Sequence, residues 1–375
     1  MKVFLFIIII VIFAAVAGSR YRNSGTINTS LISPSITPSI SIIDEDIPLY
    51  EVIAENLNTP WSIAFLPDEK MLVTERPGRV RFIENGKLDQ NPIAVISEVK
   101  EIGEGGLMGI ALHPDFLINN HVYFYYTYEG QDGTLNRVVR MTYKNKTLTD
   151  SVTIIDSIPG ASNHNGGRIK FGPDKFMYIA TGDAENPSQA QDKNSLAGKI
   201  LRVTDKGSPI SGNPFGNRIY SFGHRNVQGL AWDEEGNLWV TEHGRSGISS
   251  GLDEINLIES GKNYGWPVIQ GDQTRDGMER AIQNSGSTTW APAGAVYVGK
   301  SIFFGGLRGE ALYEAVVENR RVYEVKEHFK GQFGRIREVI LGPDGFLYIS
   351  TSNKDGRGDV RGGDDKIIKV NPNKL

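Results

Sequence analysis

Residues 167–184 read GRIKFGPDKFMYIATGDA, and residues 337–356 read REVILGPDGFLYISTSNKDG. Each stretch alternates apolar and polar residues, stops at Gly-Pro-Asp, and resumes as an apolar run that ends in Thr. Alternation with period two turns one face of a strand to a core, and Pro-Asp presets a tight turn, so each stretch reads as a hairpin. The same shape recurs in WSIAFLPDEKMLVTERPG (61–78), MGIALHPDFLINNHVYFYYTYEG (108–130) and QGLAWDEEGNLWVTEHG (228–244). The turns fall at Pro67, Pro114, Pro173, Asp233 and Pro343, at intervals of 47, 59, 60 and 110 residues. The last interval is about double the others, and AGAVYVGKSIFFGGL (293–307) fills it as a degenerate copy. Six copies at a period of about 55 residues leave room for two more strands after each hairpin. Four-stranded units repeated radially are the blades of a propeller, and no stretch carries a sustained helical stripe. The expected fold is all-β: a six-bladed β-propeller of four-stranded antiparallel blades around a central channel, with seven blades as the rival count.

Composition agrees with this reading. The chain has 375 residues, 39% of them apolar and 22% charged, with 43 glycines and 14 tyrosines, which suits turn-rich β-structure. A net charge of -4 gives no concentrated basic face for nucleic acid. Cysteine is absent, which excludes disulfides, thiolate metal sites and cysteine nucleophiles.

Met1-Lys2 precedes an unbroken apolar run from Val3 to Ala17, closing on Ala15-Val16-Ala17. A positive start, a short apolar core and small terminal residues read as a secretory signal or an uncleaved anchor over residues 1–18. Residues 19–46, rich in Ser, Thr, Pro and Asn, read as a flexible linker, leaving 47–375 as the catalytic propeller domain. The expected location is extracytoplasmic, secreted or tethered to the outer face of the cytoplasmic membrane. Asn28 and Asn145 head glycosylation sequons.

Propellers work through loops around the channel, and these loops carry an unusual set of side chains. His164 precedes the third repeat in SNHNGGR, Glu104 precedes the second in GEGGLMG, and Arg225 and Asn226 precede the fourth in GHRNVQG. Arg308 follows the fifth repeat, and Arg335 and Arg337 lead into the sixth. Singly, each has an ordinary surface explanation; recurrence at equivalent repeat positions argues for convergence. Four arginines imply a polyanionic, carboxylate-rich ligand, because the planar guanidinium fork binds such groups bidentately. No phosphate-binding GxxxxGK[ST] motif accompanies them. Asp183 stands 19 residues after His164, and a strand that doubles back would let its carboxylate fix the ring tautomer. The other ring nitrogen is then a general base. With no Gly-x-Ser-x-Gly elbow present, proton abstraction from a substrate suits His164 better than activation of a protein nucleophile. Residues 242–267, with Glu242, Asp253, Glu254 and NYGWP, have the oxygen donors that suit calcium, although taken alone the segment reads first as an acidic surface loop capped by an aromatic turn.

Taken together, NHNGGR, GEGGLMG, GHRNVQG, TEHG, DEINLI, NYGWP and GRIRE, in this order across residues 48–371, resemble the soluble pyrroloquinoline-quinone (PQQ)-dependent sugar dehydrogenases, and most of all their aldose sugar dehydrogenase branch. The resemblance implies PQQ-dependent oxidation of aldoses at C1 to the lactone, with hydride passing to the quinone and electrons to an external acceptor. It implies His164 as the base with Asp183 as its partner, and Arg225 and Asn226 on the quinone oxygens. Glu104 falls beside the cofactor, and Arg308, Arg335 and Arg337 on its carboxylates. It implies calcium held by the carbonyls of Gly244 and Arg245, with a second ion at Glu254 and the carbonyl of Tyr264. The glucose-specific enzymes carry Gln at the position of Glu104, Lys at Arg308 and an acidic residue at Ser352, positions that touch cofactor and entrance, so cofactor affinity and sugar preference do not carry over; the short loops between repeats leave the site more open, which points to a broad range of aldoses. The expected partners are small aldoses and an external electron acceptor, for a monomer or dimer that the N-terminus could tether to a membrane. A non-catalytic extracellular binding propeller and a calcium-dependent lactonase are the competing readings; neither needs an arginine clamp beside a histidine base.

Overall fold

The computed structural model describes residues 47–247 and 250–375. The signal or anchor, the linker and the Asn28 sequon lie outside the described residues. Six antiparallel sheets follow one another along the chain as six blades, as the repeat predicts. The two inner strands of each blade are the hairpins read from sequence: Pro60–Phe65 with Met71–Glu75, Leu107–Leu112 with His121–Gly130, and Ile169–Phe171 with Met177–Ala180. Val227–Trp232 with Leu238–Glu242, Pro292–Val298 with Ser301–Gly306, and Ile336–Leu341 with Leu347–Thr351 complete the set. The ring closes through the start of the domain: Tyr50–Ala54 pairs antiparallel with Ile367–Val370 as the outer strand of the sixth blade. Both ends of the domain are thereby tied into one sheet, which removes the free edges of an open array.

The core lies between blades. Leu72, Val80 and Phe82 of the first blade pack against Ile110, Val122 and Phe124 of the second, and equivalent apolar clusters fill the other interfaces. Ile63 and Val73 against Tyr348 and Ile367 seal the last blade to the first.

Two local features aim side chains at one end of the channel. In five blades the pairing of the inner strands slips near the start of the innermost strand, as at Pro60/Ser62 and Val227/Gly229. A bulge there re-aims the residues that begin the strand. The third blade does it differently: its innermost strand is only Ile169–Phe171, which frees residues 163–168 to form part of the channel mouth.

Candidate active site

The mouth holds a cavity of about 610 Å³. Loops that lead into innermost strands bring Glu104, His164, Arg225 and Arg335 to its wall, and loops that leave second strands bring Glu185, Arg245, Arg308 and Arg357.

His164 and Asp183 meet there. The His164 Nδ1 lies 2.9 Å from Asp183 Oδ1, and the carboxylate is fully buried while the ring keeps 17% of its surface open. Asp183 is held from other sides as well: Oδ2 accepts from the Trp266 indole N–H at 2.8 Å, and Oδ1 accepts from the Glu185 backbone N–H at 3.0 Å. A buried carboxylate beside Nδ1 keeps the proton on that nitrogen, so Nε2, which has no partner among the described residues, presents its lone pair to the cavity. His164 itself sits at φ 58°, and its carbonyl accepts from Ala184 N–H at 3.1 Å. That turn fits only because residue 182 is glycine: a Cβ there would lie 1.9 Å from the His164 carbonyl oxygen. Gly182→Ala is therefore expected to force the two loops apart and destabilise the fold by about 1–3 kcal/mol, read as a lowered Tm against wild type.

The arginines divide by depth. The Arg225 guanidinium donates to Ser246 Oγ at 2.7 Å and lies 5.3 Å from the centre of the Trp266 ring. Its backbone N–H is bonded by Glu242, whose other oxygen takes His224 Nδ1 at 2.9 Å, so one buried carboxylate sets the whole 224–226 turn. Asn226 Oδ1 accepts from Gly166 N–H at 2.9 Å, whereas its Nδ2, like Arg225 Nε, is buried without a partner. Arg335 spends Nε and Nη2 on Asp355 Oδ2 at 2.9 and 2.7 Å. Arg308 stands exposed on the rim, donating to Ser250 Oγ at 3.1 Å. Arg337 is set apart from these: it lines a small cavity beneath the main one, where it donates to Gln228 Oε1 at 2.7 Å.

The residues expected to hold cations are placed as follows. Gly244 and Arg245 line the main cavity, and Gly244 N–H donates to Asp253 Oδ1 at 2.8 Å. Glu254 and Tyr264 border a separate cavity of about 10 Å³ together with Glu242. Burial and, after it, the charge of Glu242 push the Glu254 carboxyl up to about 8. Among the described residues, no cluster of three or more His, Cys, Asp and Glu side chains has the geometry of a metal site.

The profile of the glucose/sorbosone dehydrogenase family matches residues 57–361. The chain belongs to that family. The aldose sugar dehydrogenase YliI of Escherichia coli is 32% identical over 86% of this chain and 92% of its own length. The quinoprotein glucose dehydrogenase B of Acinetobacter calcoaceticus is 33% identical over 62% of this chain and 55% of its own length. Among solved structures, the PQQ-bound aldose sugar dehydrogenase of Streptomyces coelicolor superposes with a TM-score of 0.80 at 38% identity, covering 86% of this chain and 98% of that one.

Within this glucose/sorbosone dehydrogenase site several residues escape a reading based on loops that lead into blades. Glu185 and Arg357 leave second strands, the repeat position that Arg245 and Arg308 also occupy, so a second alignment of strand exits is the signal that finds them. Asp355 partners Arg335 within the sixth blade, and Trp266 partners Asp183. His243, inside TEHG, lies between the two cavities with Nε2 unpartnered, and burial pushes it down to about 3, so it is neutral at physiological pH.

Proposed function

We propose that this chain is a PQQ-dependent sugar oxidoreductase that oxidises aldoses at C1 to the lactone. The observation that carries the reading is the His164 ring, fixed on one side by buried Asp183 and open on the other to a cavity ringed by guanidiniums. A quinone bearing several carboxylates fits this donor set: Arg225, Arg308 and Arg335 offer charge, and Arg225 Nε and Asn226 Nδ2 are buried donors with no protein acceptor. When bound, such a quinone supplies the acceptor for the hydride leaving C1. The chain's own part is positional and acid–base. His164 Nε2 takes the proton of the anomeric hydroxyl, and Asp183 stabilises the imidazolium that results. Arg225, oriented by Glu242 through its backbone and by Ser246 through its side chain, places fixed positive charge at the cavity wall, where it costs no reorganisation during the reaction.

Calcium belongs to the same proposal. Gly244 and Arg245 line the cavity, where their carbonyls would hold one ion, and Glu254 borders a small separate cavity with Glu242 and Tyr264, where it would offer a carboxylate to a second. We further propose that the protein works outside the cytoplasm, from the apolar start of the chain. The activity is tested by dye-linked oxidation of aldoses with and without added PQQ, in calcium and after chelation. Turnover that requires the quinone is the expected result, together with a Tm that falls on chelation and recovers with calcium. Absence of quinone binding by the purified protein would overturn the reading and leave the binding propeller as the better one.

A further inference from the structure

One side chain at the mouth takes no part in the reading above. Arg357, from the loop that leaves the second strand of the sixth blade, has half its side-chain surface exposed and lines the main cavity. It reaches across the mouth to two other blades. Nη1 pairs with Glu104 Oε1, from the loop before the second blade, and Nη2 donates to Asn163 Oδ1 at 2.8 Å, from the loop before the third. Asn163 continues the chain by donating to Glu185 Oε1 at 2.6 Å. Glu104 closes it, because its Oε2 accepts the backbone N–H of His164 at 3.2 Å.

Four side chains, Glu104, Arg357, Asn163 and Glu185, thus form a polar rail beside the ring of the base. Burial raises the Glu104 carboxyl, but the positive groups around it and the His164 N–H outweigh burial and bring it down to about 2. Among the described residues the Arg357 guanidinium bonds only through one hydrogen of each terminal nitrogen, which leaves Nε and the second hydrogens as further donors. A planar donor fork beside carboxylate acceptors is the arrangement that reads two adjacent hydroxyls together. Arg357 contacts Asn163, the immediate neighbour of His164, and all three line the same cavity, so a sugar whose anomeric hydroxyl meets His164 Nε2 carries its next hydroxyl on the carbon beside it, in that shared cavity.

We propose that Arg357 is a specificity-determining residue, selecting neutral aldoses with a hydroxyl on the carbon next to C1. This rests on the aldose-oxidising reading above. The test uses the full-length protein reconstituted with PQQ and calcium, comparing glucose with 2-deoxyglucose for wild type, Arg357→Ala and Arg357→Lys. Quinone affinity is measured separately by titration. The wild type is expected to prefer glucose in kcat/KM. In Arg357→Ala that preference should shrink by about tenfold, the worth of one hydrogen bond from a charged donor, through a raised KM for glucose. Arg357→Lys keeps the charge but not the fork, and should recover only part of the preference. An unchanged glucose-to-deoxyglucose ratio in both variants overturns the proposal, as does a loss of quinone affinity in both that matches the loss of turnover. Wild-type protein that oxidises no aldose defeats the underlying functional reading, whereas active wild type with an unmoved ratio defeats only this inference.

Discussion

Alanine at position 164 is expected to cut dye-linked aldose turnover by about 10²–10⁴ while leaving the quinone titration unmoved, because a positioned imidazole base contributes about that much. The separation of the two readouts follows from geometry. His164 sits at one side of the cavity, and Arg225, Arg308 and Arg335, which offer the cationic contacts, enter from the loops of three other blades. Asp183→Asn makes the companion variant. The amide can still accept from the Trp266 indole, but it can also donate to Nδ1 and so stabilise the tautomer that puts the proton on Nε2. Its turnover should fall with little change in KM, measured over a full sugar titration. Full turnover in His164→Ala would remove the base from the proposed reaction.

Much of this site was legible in the sequence, and the part that was not has a common physical cause. The repeat shows itself because each blade solves the same local problem, two strands and a tight turn with one apolar face toward a neighbour. The degenerate fifth copy was readable although Gly299-Lys300 replaces Pro-Asp, because the alternation around it survives: Ala293 and Ala295 are buried on one strand and Ile302 and Phe304 on the next. Ring closure leaves no local trace, since Tyr50–Ala54 pairs with a strand more than three hundred residues away. The same holds for the partners of the site residues. Arg357 meets Glu104 across 253 positions and Trp266 meets Asp183 across 83, and neither pairing has a spacing that periodicity could show. The position of Arg337 is a related case. Regular alternation would put residues 335 and 337 of Arg-x-Arg on one face, but Arg335 precedes the strand Ile336–Leu341 and the pairing slips between Ile336 and Glu338, so the two guanidiniums come to different cavities.

Removing the carboxylate of Glu338 is expected to be the most destabilising single change in the channel, costing about 3–5 kcal/mol, because it leaves a buried guanidinium without its counter-charge. Arg168 and Glu338 are almost wholly inaccessible, 1% and 2% exposed, and they pair directly between the third and sixth blades. Ser62 of the first blade donates to Glu338 Oε2 at 2.7 Å and accepts from Arg168 Nη1 at 2.8 Å. Arg168 Nε donates to the Gln228 carbonyl of the fourth blade at 2.9 Å, and the guanidinium lies 4.3 Å from the centre of the Trp61 ring. One ion pair therefore joins four blades at the axis, where apolar packing between adjacent blades does not reach. Its worth depends on both members being present, so Glu338→Ala should lower the Tm more than the double change Arg168→Met with Glu338→Leu, which removes both charges and refills the space. Equal losses in the two would mean that packing volume, not the unpaired charge, sets the cost. The comparison bears on the site as well, because Arg168 lies four residues after His164, on the short strand lead that frees the 163–168 loop. Anchored at Arg168, that loop holds His164 at a positive φ against Asp183.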